Sequence, residues 1–366
     1  MKTSRPTSRS GIALIIVMIC ITVLGSMAAL FAVAMKVETR LAMNAKAEAE
    51  FYPLAQSAVD YCKAVLSASM SCPEEPFDAE TQVWAGGTTS ICSNELLTLV
   101  KPTVDLGYGK FTWKMIDLER KGNINTADQP MLDQAMRLIG VDAGDSSAIT
   151  ASILDWIDRD KNEHPGGGAE SDYYESLDPP YKAKDGYMDD ISELLLVRGV
   201  TPELYGVEGF AAPPPPPGDL RDQFNLNFQE PPVPRATLKE LFTPISSGPI
   251  NINTASANVL QLVPYIDENI AQRIITCRSG ADTGQPTPFR NVGEALLCAG
   301  LNQQIVGQIQ RYFSVRSTTF EAQIEVEIGG VKRHYYAVLR RNNPRDIQVL
   351  TFHWKLNPPA GHADAR

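Results

Sequence analysis

The sequence predicts an α+β fold, in which a long N-terminal helix packs on an antiparallel sheet and a large helical domain is inserted between the strands. Three features predict it: an uncharged apolar run near the N-terminus, strand-like alternation on both sides of the middle of the chain, and a motif repeated ahead of two helical stretches. The 366 residues are enough for more than one substructure around a sizeable core.

The apolar run, residues 12–35, is 24 residues long and carries no charge. About 20 such residues suffice to cross a bilayer as a helix. Lys2, Arg5 and Arg9 precede the run without any acid. The positive-inside rule therefore predicts a single pass through a bacterial inner membrane, with the bulk of the chain in the periplasm. An ordinary secretory signal peptide is the alternative, but its apolar region is only ~7–15 residues long.

Residues 36–66 continue the helical pattern with Ala, Glu, Lys and Leu, which are good helix formers. Pro53 is expected to kink or break this helix, because proline removes a backbone donor. Residues 67–108 are rich in Ser, Thr, Pro and Gly and are expected to form mostly loop.

Strand patterns occur once before the middle of the chain and four times after it. They cover residues 110–117, 312–318, 321–327, 331–339 and 348–354. The pair Gly329-Gly330 marks a turn between the third and the fourth pattern. One face of the resulting antiparallel sheet is expected to pack on the long helix.

The stretch between the first two strand patterns, residues 122–310, is largely helical and contains an internal repeat. GNINTA at 122–127 recurs as PININTA at 249–255, and each copy runs straight into a helical sequence. Such repetition indicates one supersecondary unit that is used twice. The residues expected to cap the helices are Asn125 or Thr126 and Asn253 or Thr254.

The second copy looks like a helix-hairpin-helix (SAM-like) element, which often holds DNA through backbone amides at a glycine-bearing hairpin. Here residues 264–268 (PYIDE) replace the glycine and place two acids at the turn, and the formal net charge is −10. Phosphate binding depends on clustered Lys and Arg, so nucleic acid is not expected as a partner. Residues 205–235, with five consecutive prolines, are expected to form an extended surface insertion.

An acidic cluster lies in the first half of this insert. Hard cations such as calcium take six to eight oxygen ligands, and flexible acidic loops supply them. The spacing does not match an EF-hand. On composition alone, a solvated acidic loop is the better interpretation. The eight acids between residues 155 and 178 are Asp155, Asp158, Asp160, Glu163, Glu170, Asp172, Glu175 and Asp178.

The cysteines leave two interpretations open. Cys72 with Cys92, and Cys277 with Cys298, each close a modest loop and would suit disulfides in an oxidising periplasm. The alternative is that these four are reduced core residues. The sequence contains no Cys-x-x-Cys pair, phosphate loop or nucleophile elbow, and its four histidines are scattered. We therefore predict no catalytic site.

The start of the apolar run carries a more specific signal, because a short basic leader ends at Gly11 and the run begins at Ile12. This junction resembles the class III signal of type IV pilins and type II secretion pseudopilins. The resemblance implies that a prepilin peptidase cleaves after Gly11 and that the new amine of Ile12 is methylated. Most members carry Glu at the fifth residue after the cut, where this chain has Ile16. That absence resembles the minor pseudopilin K family of type II secretion, also called general secretion pathway protein K.

The insert carries further residues of the same resemblance. They are DWIDRD at 155–160, GAE at 168–170, Tyr173-Tyr174, Pro179-Pro180 and SELLLVRG at 192–199. Members of the family bind calcium in this region as a structural ion. The ligands that the resemblance implies here are Asp158, Asp160, Glu170 and Asp172, with Asp155 as a weaker candidate.

The resemblance implies a non-enzymatic minor pseudopilin. With minor pseudopilins I and J and other pseudopilins, it would form or initiate the pseudopilus tip and so support export of folded proteins across the outer membrane. The alternative is a membrane-tethered helix-hairpin-helix protein that binds DNA, as in competence. The chain would divide into a prepilin leader (1–11), a transmembrane segment (12–35), a pilin-like periplasmic domain (36–121 and 311–366) and the inserted helical domain (122–310).

Overall fold

The computed structural model describes residues 10–207, 236–281 and 284–355. The leader up to residue 9 and the proline run at 213–217 lie outside the described residues. The expectations for both of them therefore stay predictions.

A single helix, α1 (Ser10–Met70), begins the described part of the chain. Its described side chains are exposed up to residue 49, and its apolar part, with a mean hydropathy of 2.7, is long enough to cross a membrane. From Phe51 onward one side of the helix is buried. The helix continues through Pro53, so the predicted break is wrong. The burial of Phe51 and Leu54 beside the proline offsets its cost of about 3 kcal/mol to a helix interior.

The remaining helices and the strands are short, except in the main sheet and in the insert. The helices are α2 (Glu95–Thr98), α3 (Gln129–Ile139), α4 (Ala143–Ile157), α5 (Ser171–Glu175), α6 (Pro202–Tyr205), α7 (Leu238–Leu241), α8 (Ala257–Leu260), α9 (Glu268–Ser279), α10 (Val292–Cys298) and α11 (Gln303–Ile309). The strands are β1 (Thr103–Asp105), β2 (Lys110–Asp117), β3 (Gly122–Asn123), β4 (Phe242–Thr243), β5 (Ile250–Asn251), β6 (Phe313–Ser314), β7 (Thr319–Ile328), β8 (Val331–Asn343) and β9 (Asp346–Lys355).

Five strands form one antiparallel sheet in the order β1-β2-β7-β8-β9. The strand before the insert thus pairs with the strand after it, and Trp113 lies opposite Ile324. The β7–β8 turn consists of Gly329 and Gly330, both with positive φ, as tight hairpins favour. The strands predicted at these places are confirmed; β2 has the predicted bounds, and β7, β8 and β9 extend beyond theirs.

The strand predicted at 312–318 is wrong as a member of the main sheet. Only β6 is extended there, and it pairs in parallel with β5 in a separate two-stranded sheet. Beyond β6, buried carboxylates take the backbone amides instead of a neighbouring strand. Ser317 N donates to Asp78 (2.9 Å), and Thr318 N donates to Glu119 (2.9 Å). Each buried donor is satisfied without strand pairing.

Two hydrophobic cores result from this arrangement. The head consists of the main sheet and the part of α1 from Phe51 onward. There α1 packs on alternate residues of β2, β7 and β8, such as Phe111, Ile324 and Ala337. In the insert, the helices enclose a separate core that includes Leu132, Trp156 and Leu260. The chain is therefore an α+β protein with a long N-terminal helix, an antiparallel sheet and additional helical regions.

The two NINTA copies have the same local structure, which differs from the predicted caps. The side chain of the second Asn of each copy bonds the backbone of one distant residue twice: its Oδ1 accepts from the N–H of that residue, and its Nδ2 donates to the C=O. Asn125 bonds Met188 in this way (2.7 and 3.0 Å), and Asn253 bonds Phe289 (2.9 and 3.0 Å). The following helices are capped by other residues, namely Asp128 for α3 and Ser256 for α8. The predicted caps are wrong because the asparagines are used for these longer-range clamps.

The helix-hairpin-helix turn between α8 and α9 lacks the usual glycine, but it keeps a left-handed residue. Tyr265 has a φ of +70° and is 60% exposed. Asp267 caps α9 by accepting the amide of Ile270 (2.8 Å). One of the two acids at this turn is therefore used to start the second helix.

A buried polar cluster joins the two cores. The Asp117 Oδ2 atom accepts hydrogen bonds from Asn251 Nδ2 (3.0 Å) and Thr254 Oγ1 (2.6 Å), both from the second repeat. Asn251 also donates to the backbone oxygen of Asp78, whose carboxylate pairs with buried Arg341. Burial raises the pKa of the Asp117 carboxyl to about 7, although the hydrogen bonds oppose that shift.

We expect Asn251→Asp to lower the free energy of unfolding by about 3 kcal/mol, because it places a second carboxylate against Asp117 in a buried site. Asn342→Asp is the matched control, since Asn342 also donates to a carboxylate, Asp346 (2.8 Å), but at the surface. The control should change the free energy by less than about 0.5 kcal/mol. Urea unfolding of both variants measures this, and equal losses would contradict the structural role of the cluster.

Candidate metal centre

The acidic cluster is built where α4 ends. Asp155 lies in the last turn of α4, and Asp158 is the C-cap residue, whose extended backbone turns the chain away from the helix. The predicted helix end near Ile157 is confirmed. The chain then forms a loop that returns to Glu170, the residue that precedes α5.

Glycines let this loop fold tightly over Asp155. Gly166 and Gly167 have φ values of +116° and +96°, which favour glycine. A Cβ atom on Gly168 would lie 1.9 Å from Asp155 Oδ2, so no other residue fits there without movement. The run of three glycines is thus required by the close approach of the backbone to a buried carboxylate.

Three of the predicted ligands come together. Oxygens of Asp158, Asp160 and Glu170 lie within 4.8 Å of one another, and a second group within the same limit consists of Asp155, Asp158 and His164. The two groups share Asp158. Asp155 therefore belongs to the same site, even though the family resemblance implied it only as the weaker candidate.

Several oxygens of this site are buried and lack a hydrogen-bond donor within the described part of the chain. They are Asp155 Oδ2, Asp158 Oδ1, both carboxylate oxygens of Glu170, and Asp185 Oδ1. Asp155 is fully buried, and Glu170 is 6% exposed. A buried carboxylate without a partner is costly unless it is neutralised or binds a cation. Such a set of hard oxygen donors fits calcium.

The electrostatics of the site also favour a bound cation. Burial, and then the charges of Asp155 and Asp158, raise the pKa of Glu170 from its ordinary 4.5 to about 7. Burial, and then the charge of Asp160, also raise the pKa of Asp158. Each shift means that the charged carboxylate is disfavoured in the protein without an ion.

The structure differs from the predicted ligand set at two residues. Asp172 lies in the first turn of α5, is exposed, and belongs to neither described group. Asp185 was missed, although it is one of the charges that raise the pKa of Glu170. Its φ of +49° is unusual for a residue other than glycine. The Asp185-Gly186 pair is a turn signal in the sequence, but nothing in it connects that turn with the acids 15 residues earlier.

The four cysteines considered for disulfides are joined in the two expected pairs. Cys72 is bonded to Cys92, and Cys277 at the end of α9 is bonded to Cys298 at the end of α10. Burial raises the pKa of the free Cys62 thiol to about 12, which makes it an inert core residue.

Comparisons with known proteins find two family models, one for the part of the chain with the acidic site and one for the part with the second repeat. A family model described as type II secretion system protein K matches residues 109–207, which contain β2 and the acidic site. A helix-hairpin-helix motif model matches residues 246–314, which contain the second repeat.

Proteins called type II secretion system protein K are similar over longer stretches. The protein from Aeromonas hydrophila is 26% identical over 66% of this chain and 70% of its own length, and that from Pectobacterium carotovorum is 28% identical over 47% and 59%. The protein from Pseudomonas aeruginosa is 22% identical over 75% and 71%. The chain is thus similar to type II secretion system protein K over 47% to 75% of its length.

The fold is also similar to that of a solved structure. A chain in the crystal structure of the GspK-GspI-GspJ complex from the enterotoxigenic Escherichia coli type 2 secretion system superposes with a TM-score of 0.59 at 18% sequence identity. The superposition covers 86% of this chain and all of the other chain. The match to the Pectobacterium relative spans 59% of that relative, somewhat less than two thirds of its length.

In the protein without an ion, we expect the free energy of unfolding to fall as the pH rises from about 4.5 to about 7. The pKa of Glu170 is higher in the folded state, so its contribution is fully present below its ordinary pKa and is lost as the pH rises through about 7. Glu170→Gln should flatten this part of the profile. Urea unfolding in the presence of a chelator, at a series of pH values, measures it.

Glu175→Gln is the matched control, because Glu175 is a half-exposed glutamate five residues away that pairs with Lys182 at 3.5 Å. In this variant the free energy of unfolding should change with pH as it does in the unmodified protein. If Glu170→Gln and Glu175→Gln have the same profile, the electrostatic account of the site is wrong.

Proposed function

We propose that this chain is a minor pseudopilin of the type II protein secretion system, which forms or initiates the tip of the pseudopilus together with minor pseudopilins I and J. The observation that carries the proposal is the similarity to type II secretion protein K in three organisms, over up to three quarters of the chain. The neighbouring crystal structure is a complex of GspK with GspI and GspJ, which supports the choice of partners.

The proposal gives α1 two roles. Its N-terminal half, exposed and free of charge up to Met35, would anchor the chain in the inner membrane, and the head would lie in the periplasm. Cleavage by a prepilin peptidase after Gly11 would leave Ile12 as the first residue, with a methylated amine. The trimmed helix could then leave the lipid and pack against the helices of other pseudopilins.

Two features favour a position at the tip. An acid in the apolar part of the helix would be costly in lipid unless it were paired, and in this family such an acid is thought to pair with the amine of a neighbouring subunit. Ile16 stands at that position, and the first acid of the helix is Glu38. The inserted domain also widens the head, which suits the end of a filament better than its interior.

The acidic site would hold calcium as a structural ion. Asp155, Asp158, Asp160 and Glu170 are the residues that would bind it, with Asp185 beside them. Bound calcium would supply the positive charge that these buried carboxylates lack. It would thereby fix the acidic loop against the end of α4. This is a role in stability, and the proposed function needs no catalytic step.

Co-purification tests the function. The full-length chain would be expressed with minor pseudopilins I and J of the same bacterium and purified by a tag from detergent-solubilised membranes. The proposal predicts a stoichiometric complex that persists through size-exclusion chromatography. An unrelated tagged single-span protein is the control. Salt-dependent binding of DNA by a chain that retains neither pseudopilin would instead support a DNA-binding protein.

Calorimetric titration with calcium tests the composition of the ion site. We expect Asp158→Asn and Glu170→Gln to weaken calcium binding by at least about tenfold, because each removes a charge from an oxygen that is buried without a donor. Asp172→Asn is the matched control and should bind calcium like the unmodified protein, since Asp172 is exposed and outside both groups. An equal loss in Asp172→Asn would contradict this assignment.

A further inference from the structure

His164 is placed against the most deeply buried carboxylate of the acidic site. Asp155 Oδ1 accepts two hydrogen bonds from it, one from the backbone amide (2.9 Å) and one from the ring nitrogen Nδ1 (2.6 Å). The other oxygen of the same carboxylate, Oδ2, is buried and has no donor among the residues that the structure describes. One oxygen of Asp155 is thus held twice by a single residue, and the other is left free.

Two donors on one oxygen fix the rotation of a carboxylate about its last torsion angle, which is otherwise broad. Asp155 cannot turn to exchange its oxygens without breaking both bonds. The backbone of Gly168 also approaches Oδ2 so closely that no Cβ atom fits there. The geometry therefore determines which oxygen of Asp155 remains available to a cation.

The neighbours of the ring determine its protonation at Nδ1. This nitrogen lies 2.6 Å from Asp155 Oδ1 and 3.5 Å from Asp158 Oδ2. Both neighbours are acceptors, so Nδ1 carries the hydrogen and donates it. A nitrogen that donates a hydrogen bond has no free lone pair for a metal ion. Through Nδ1, His164 therefore contacts the ligands of the site and does not bind the ion.

We propose that His164 is a positioning residue of the calcium site: it holds Asp155 through Oδ1, so that Oδ2 is presented to the ion beside Asp158 and Glu170. The inference rests on the proposed ion site and adds to it a residue outside the ligand set. Partners of this kind commonly change metal affinity by ~10–100-fold when they are removed.

Calcium titration of two variants of the full-length, detergent-solubilised protein tests the inference. His164→Asn keeps a side-chain N–H donor close to the place of Nδ1, whereas His164→Leu removes it and keeps an apolar side chain of similar size. We expect His164→Leu to bind calcium at least about tenfold more weakly than the unmodified protein, and His164→Asn to bind within about threefold of it. His334→Leu, on the outer face of β8, is the matched control and should leave the affinity unchanged.

Circular dichroism and the thermal midpoint at saturating calcium verify that the variants fold. If the ring served only to fill space, His164→Leu and His164→Asn would weaken calcium binding equally. Calcium binding that is retained in His164→Asn but lost in His164→Leu therefore indicates positioning by the N–H donor. Equal affinities of His164→Leu and the unmodified protein would overturn the positioning role alone. Failure of the unmodified protein to bind calcium would overturn both the ion site and this inference.

A parallel titration with zinc tests whether the ring of His164 binds a metal ion directly. If the unmodified protein bound zinc more tightly than calcium, and both His164→Asn and His164→Leu lost that zinc binding, His164 would be a ligand and the positioning role would be overturned. The inference predicts that His164→Asn keeps the metal preference of the unmodified protein.

Discussion

The packing of α1 on the inner face of the sheet is the interaction on which the rest of the structure depends. The helix is about 90 Å long, and only its part from Phe51 onward is buried in the head. The described side chains of the helix up to residue 49 are exposed in the isolated chain, while the sheet shields one side of the remainder. One continuous helix connects the exposed stem with the head.

The insert depends on that head through polar contacts. Hydrophobic burial is not directional, so the separate core of the insert does not by itself fix how the two parts are oriented. The bonds from Asn251 and Thr254 to Asp117, and the pair of Arg341 with Asp78, are directional and fully buried. Buried ion pairs contribute little net stability, but their hydrogen bonds allow few alternative arrangements. The second NINTA copy thus contributes buried, directional contacts that orient the insert on the sheet.

The sequence was sufficient for the features that follow from local pattern. Alternation predicted β2 with its bounds, whereas Asp158, Asp160 and Glu170 were grouped by the family resemblance and not by the composition of the acidic segment. It was insufficient where distant residues decide the outcome. The segment around Ser317 alternates like a strand but is held by carboxylates from elsewhere, and Asp185 reaches the acidic site only through the fold. Periodicity reports which face of an element is apolar, and it contains no information on which distant polar groups meet.

The proposal that α1 is a membrane stem, trimmed before it assembles, is tested most directly by the state of its N-terminus. Sequencing and mass spectrometry of the membrane-extracted protein should find Ile12 as the first residue with a methylated amine. Gly11→Val should leave the chain starting at Met1, while Gly25→Ala, in open space on the same helix, should not. A chain that still starts at Met1 in cells with working secretion would contradict the account.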